Sequence, residues 1–148
     1  MDDTPKTGVF PCYENQFAIG AAGNETPSDS IADMEEYSVT FDNGVEEWHA
    51  YGEDGWIKRL MTSKSIKISV KGKRNIGDNG NDTVANIAFE NGRKAEKNFL
   101  WTFPGGATVL FKNAVISVGA LNAAAATNVA PLEFEVQSNG KPVFTPAA

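Results

Sequence analysis

The chain has 148 residues, a formal net charge of −6, 41% hydrophobic and 22% charged residues; that is enough for one domain with a sizeable core, short for two ordinary domains, and too apolar for a disordered polymer. No run reaches the roughly 20 consecutive apolar residues of a membrane helix, and the acidic Asp2-Asp3 start is unlike a secretory leader, so a chain made and kept in a cytoplasm, with no membrane partner, is expected. Cys12 is the only cysteine, which excludes an internal disulfide.

Residues 1–30 are rich in Gly, Pro, Asn, Thr and Asp around one apolar island, Phe17-Ala18-Ile19. They read as a mobile arm over about residues 1–15, then one short strand and a loop. From Met34, Tyr37, Val39 and Phe41 alternate with Ser38 and Thr40; Asp42-Asn43-Gly44 is a hairpin turn signal, and Val45–Tyr51 is the expected return strand. Gly52-Glu53-Asp54-Gly55 is a second turn, after which Trp56–Met61 mixes apolar and basic residues. The clearest strand is Ser65–Arg74, in which Ile66, Ile68 and Val70 face a core while Lys67, Ser69, Lys71 and Lys73 face away.

Asn81 or Asp82 is the expected cap of a helix over about residues 81–91, with Val84, Ile87 and Ala88 on its packed face and Asn91-Gly92 as its stop. Phe99, Trp101 and Phe103 share one face of the next strand, and Pro104-Gly105-Gly106 turns. Thr108–Val118 reads as a long strand whose phase slips near Asn113, the mark of a bulge. Ala120–Asn128 is alanine-rich without an apolar face and reads as loop. Leu132, Phe134 and Val136 alternate with Glu133, Glu135 and Gln137, Ser138–Lys141 is a turn signal, and Pro142–Thr145 follows. No internal repeat is visible. The pattern predicts one mainly β domain, two packed antiparallel sheets forming a sandwich or squat barrel, with one short flanking helix.

Charge is polarised along the chain. Residues 1–55 carry 13 acids and one base, residues 56–98 ten bases and four acids. Such a chain either neutralises itself on folding or offers opposed faces to a neighbour, and net acidity argues against a dedicated nucleic-acid binder. Residues suited to catalysis do not converge. His49 is the only histidine, with no second histidine for a metal pair and no Ser or Cys elbow. Glu35-Glu36, Glu46-Glu47 and Glu53-Asp54 are sequence neighbours, which on a strand point to opposite faces, the wrong geometry for carboxylates facing across a glycosidic bond. Asp78-x-Gly80-x-Asp82 has glycine where a calcium loop needs an oxygen side chain. No enzyme, cofactor or metal site is expected. The stripe Lys67, Lys71 and Lys73, with Arg74 beyond it, reads as a solvated face, a dock for an acidic neighbour or, least, a nucleic-acid contact. Trp48, Tyr51 and Trp56 suit a core, an interface or a sugar-binding platform.

Several strings occur in one order along nearly the whole chain: Lys6-Thr7-Gly8 before Pro11-Cys12-Tyr13-Glu14-Asn15, Ile31-Ala32-Asp33-Met34-Glu35, Val45-Glu46-Glu47-Trp48, Glu53-x-Gly55-Trp56-x-x-Arg59-Leu60, Gly72-Lys73-Arg74-Asn75-x-Gly77-Asp78, Trp101-x-x-Pro104-x-Gly106 and Gly140-Lys141-Pro142. In these the chain resembles the tail tube, or major tail, proteins of long-tailed phages of Gram-positive bacteria. It departs from them at Ala120–Asn128, where a glycine- and aspartate-rich segment would be expected.

The resemblance implies packed β-sheets flanked by a helix, six-fold rings joined by sheet edges, and rings stacked into a tube through an arm or through a hairpin at about residues 45–60. It implies a structural subunit of the virion tail, assembled in the bacterial host cytoplasm, with DNA passing through unbound. The implied partners are the chain itself and the tape-measure, tail-terminator and distal tail proteins. On that reading Trp48, Tyr51, Trp56, Arg59, Lys67, Lys71, Lys73 and Arg74 are candidate subunit-interface residues, and Glu133 and Glu135 candidate lumen residues. A tube protein of a contractile injection machine and a carbohydrate-binding module are the alternatives.

Overall fold

A computed structural model describes residues 7–147; the first six residues of the expected arm lie outside the described residues. The antiparallel strands, in chain order, are β1 (Gln16–Ala21), β2 (Asp29–Ser30), β3 (Met34–His49), β4 (Ile57–Lys73), β5 (Glu96–Thr102), β6 (Thr108–Leu121), β7 (Pro131–Gln137) and β8 (Val143–Thr145), with helix α1 (Asn79–Ile87) between β4 and β5. They pair in the order β2-β1-β5-β6-β7-β4-β3, with β8 added on β6. The mainly β architecture with one short α-helix is the one the alternation predicts, and the strands join in a single sheet that is open, not a closed barrel. Phe17 of β1 and Tyr37 of β3, from opposite ends of that order, meet edge to face at 4.9 Å. The sheet therefore folds over, and its halves share one core, with Ile19, Phe99 and Phe111 from one half and Ile68, Val70, Leu132, Phe134 and Val136 from the other.

Strand β6 carries the chain across both halves. It pairs with β5 and also with β8 at Thr108–Leu110 and β7 at Val115–Leu121. Asn113 has φ 53°, and the step from Lys97 to Phe99 on β5 faces the longer step from Ala114 to Phe111 on β6, so the phase slip read from the sequence is a bulge. Fully buried Asn98 holds it. Its Oδ1 accepts the Asn113 N–H at 2.9 Å, and its Nδ2 donates to the carbonyls of Gly23 and Glu25 at 2.9 and 2.7 Å.

Three local expectations are corrected. Asp42-Asn43-Gly44 does not turn: β3 runs through it, with Asp42 opposite Ser65 and Asn43 opposite Lys64, and a register shift follows between Gly44 and Val45. Gly44 lies in close approach to Ser63: a Cβ there would displace the Ser63 hydroxyl. Trp56–Met61 and Ser65–Arg74 are accordingly parts of one strand, and the reversal falls at Gly52–Gly55, where Gly52, Asp54 and Gly55 all have positive φ. Ser138–Lys141 does not reverse the chain either. After Gln137 pairs with Val115, Val143 pairs with Leu110 in the same sense, so β8 continues along β6 after a break.

The helix starts earlier and ends earlier than expected. Asp78 is its cap, accepting the Asn81 N–H at 3.0 Å. Ala88 is exposed beyond the last helical residue, and Ala85 joins Val84 and Ile87 on the buried face. Asn91-Gly92 is not the stop, since the helix has already ended at Ile87: Asn91 is extended, at φ −127°, and Gly92, at φ 60°, opens a 3-10 turn over Gly92–Ala95.

Asn81 and Asp82 are freed for other work. Asn81 is fully buried; its Nδ2 donates to the carbonyls of Ala32 and Lys73 at 3.1 and 2.9 Å, and its Oδ1 accepts from Arg74 and from the Asn75 N–H at 2.8 and 3.0 Å. Asp82 accepts from Arg74 Nη1 at 2.7 Å and from the Gly77 N–H. The Arg74 hydrogen bond, then the Gly77 amide and the Arg74 charge, hold the Asp82 carboxyl below the usual carboxylate range. A depressed folded-state value stabilises the fold above the unfolded value, about 3.9, and that contribution is lost as pH falls through the folded value. Asp82→Asn should therefore flatten the decline of stability below about pH 4 relative to the parent; parallel acid-unfolding curves for the two proteins would contradict this.

Candidate functional site

Strand β7 flanks β4 only from Lys67 to Lys73. Outward of Ile66, β4 pairs with β3 alone, through Phe41↔Ile66, Val45↔Met61, Glu47↔Arg59 and His49↔Ile57. The result is a two-stranded arm of roughly 25 Å beyond the sheet, at about 3.3 Å per residue. Paired residues share a face, so Val45, Met61 and Ile57 crowd one side of it and Trp48 and Leu60 the other. Neither side is covered: Trp48 is 43% exposed, Met61 50%, Leu60 60%, Trp56 77%, and Tyr51 at the tip wholly so. An isolated two-stranded hairpin is at best marginally stable in water, and this much contiguous apolar surface is the mark of a contact region. The ion pairs Glu47–Arg59 at 3.4 Å and Glu53–Lys58 at 3.3 Å tie strand to strand and tip to strand.

Of the expected interface residues, the structure brings Trp48, Tyr51, Trp56 and Arg59 together on this arm. The other four, all basic, lie elsewhere. Lys67, Lys71 and Lys73 are on the proximal part of β4, facing away from the core-facing Ile68 and Val70. Arg74 is engaged within the subunit, binding Asp82, Asn81 and the Asn75 carbonyl. Glu133 and Glu135 stand on the same sheet face as the lysines: Lys71 lies between Glu36 and Glu133, Ser69 between Ser38 and Glu135, and Lys67 between Thr40 and Gln137. Ser69 Oγ donates to Glu135 at 3.2 Å, and Lys73 Nζ donates to Glu35 at 2.9 Å. One flat polar face on β3, β4, β7 and β6 thus carries both the lysines expected at an interface and the glutamates expected in a lumen. The charge polarity of the sequence is largely self-neutralised, because acidic β3 pairs directly with basic β4.

Sequence reasoning missed two surfaces. The whole outer edge of β3 ends the sheet; strand order is invisible in periodicity. A cleft of about 520 Å³ lies where the folded-over ends approach, lined by Cys12, Tyr13, Phe17, Met34 and Tyr37 among others. Burial, then the nearby Cys12 side chain, push the Tyr37 phenol above its ordinary value. Among the described residues no group of three or more His, Cys, Asp or Glu side chains could hold a metal.

No protein-family model and no curated protein matches the chain. Solved structures do. A chain of the tail of an empty gene transfer agent particle, refined with C6 symmetry, superposes with TM-score 0.71 at 17% identity, covering 93% of this chain and 100% of that one. A chain of the sheath–tube complex of an extracellular contractile injection system matches with TM-score 0.62 at 15% identity, over 93% and 91% of the two chains. A chain of the tube-terminating cap of the anti-feeding prophage matches with TM-score 0.64 at 14% identity, over 99% and 97%. At these identities the likeness is one of fold.

Proposed function

We propose that this chain is the structural subunit of a phage tail tube, forming stacked six-fold rings around a passage for DNA, and that it performs no catalysis. The observation that carries the reading is the arm at residues 45–60, a two-stranded projection with apolar side chains on both faces and no covering element in its own subunit. A second copy supplies such a cover. A heterologous contact of this kind, repeated, closes into a ring or stacks without limit.

The free β3 edge supports the same reading, since an unpaired edge of 16 residues is a template for a neighbouring strand. The folds that superpose on this chain come from a six-fold-symmetric tail and from a sheath–tube complex, which agrees with a tube and keeps a contractile machine as the second reading; a sheath partner would distinguish the two. The polar β3-β4-β7-β6 face, with Glu133 and Glu135, is assigned to the lumen, and Trp48, Tyr51, Trp56 and Arg59 to the stacking contact. Tape-measure, tail-terminator and distal tail proteins are the expected partners at the tube's ends and interior.

Sedimentation velocity over rising concentration tests the reading: hexamers and multiples of hexamers are expected. A single monomeric species at every concentration, together with glycan binding that quenches Trp48 or Trp56 fluorescence, would favour a carbohydrate-binding module instead.

A further inference from the structure

The polar face holds three lysines in a row along β4, Lys67, Lys71 and Lys73, spaced along the strand like a track for a polyanion. An acidic side chain stands beside or diagonal to each of them. Lys73 binds Glu35 at 2.9 Å, Lys71 is flanked on both sides by Glu36 and Glu133, and Lys67 lies diagonal to Glu135, within reach of a long side chain. A shallow depression of about 200 Å³, where β6 bulges between Val118 and Ala120, lies among Ser69, Lys71, Ser117, Glu133 and Glu135.

We infer that this face is a masked polyanion-binding stripe, in which the glutamates of β3 and β7 hold the lysines of β4 away from phosphate. Each lysine left free to contact a phosphate adds affinity and one increment of salt dependence, because a counterion is released from the nucleic acid. Three lysines matched by four glutamates leave no such surplus, although the lysines themselves are exposed or half-buried. The consequence for a passage rests on the tube reading: a lining that carries hydroxyls and paired charges wets and passes DNA without gripping it. The masking itself does not rest on assembly.

The test uses unassembled subunits at low concentration and a fluorescent duplex of about 20 base pairs, the scale of a few phosphate contacts. The parent should show no saturable binding near 100 mM salt. The Glu36→Gln/Glu133→Gln/Glu135→Gln variant, in which Lys73 stays on Glu35, should bind, and its affinity should fall roughly 12-fold between about 50 and 200 mM salt, as two released contacts require. Adding Lys67→Gln, Lys71→Gln and Lys73→Gln to that variant should abolish the gain. If the triple variant melts, Glu133→Gln alone, beside Lys71, should raise binding about threefold at the lowest salt. Binding by the folded glutamine variants no stronger than the parent's, or a gain that survives loss of the lysines, overturns the inference. Because no ring need form, either result is distinct from a failure of the subunit to assemble.

Discussion

Replacing Trp48 and Trp56 together with serine should abolish the proposed assembly and leave the subunit folded. Both side chains lie outward of the last residue at which β4 has a second neighbour, and they are 43% and 77% exposed, so the core bounded by Phe99, Ile68 and Phe134 does not depend on them. Buried tryptophans at the centre of a protein contact are worth about 2 kcal/mol or more each. Losing both should raise the concentration needed for association by about a thousandfold. Thermal melting of the variant should stay within about 2 °C of the parent, as for other exposed substitutions, while sedimentation shows monomer only. The exposed Glu47–Arg59 pair provides the contrast: removing it should change monomer stability by less than about 1 kcal/mol. Unimpaired assembly of the double tryptophan variant would remove the arm from the contact.

Asn81→Ala has the largest effect expected on the fold itself. The side chain is fully buried and bonds four groups from three separate stretches: Ala32 before β3, Lys73 at the end of β4, and Arg74 and Asn75 in the turn before the helix. Truncation leaves two carbonyls and one amide without their partner, each worth about 1–3 kcal/mol when buried and unsatisfied. It also loosens the Arg74–Asp82 pair that shares the site. A loss on the order of 4 kcal/mol is expected in urea unfolding. Asn79→Ala, two residues away and exposed, should cost under about 1 kcal/mol. Equal effects at the two positions would show that the Asn81 network is not what joins the loop, the strand and the helix.

What could be read from residues alone depended on whether a face was buried. In the proximal half of β4 and in β7 one face packs into the core and the other meets water, so Ile68, Val70, Leu132, Phe134 and Val136 alternate cleanly with charged residues, and both strands are legible. The Asn113 bulge is legible for the same reason, because it breaks an otherwise regular phase. The arm has no buried face, so Val45, Trp48, Leu60 and Met61 lie on both sides and the period of two disappears. Turn-forming composition at Asp42-Asn43-Gly44 then stands out against a weak strand signal, although the glycine there serves a close approach to Ser63.

Register was illegible too, and with it the most consequential feature of the candidate site. Lys71 and Glu133 are 62 positions apart in sequence, and only the pairing of β4 with β7 makes them neighbours. Charge counts along the chain therefore left self-neutralisation and opposed faces both open, and the pairing of β3 with β4 brings the two signs together within one sheet. The helix cap failed similarly: Asp78, Asn81 and Asp82 are all competent caps, and it is the long-range bonds of Asn81 and Asp82 that leave Asp78 to the helix.

The most direct measurement is negative-stain electron microscopy of the purified, concentrated protein. Hollow tubes or rings with six-fold end views are the expected result, present in the parent and absent in the double tryptophan variant. A field of isolated subunits across concentration and salt, with the protein folded, would contradict the proposal that this chain builds a tube by self-association.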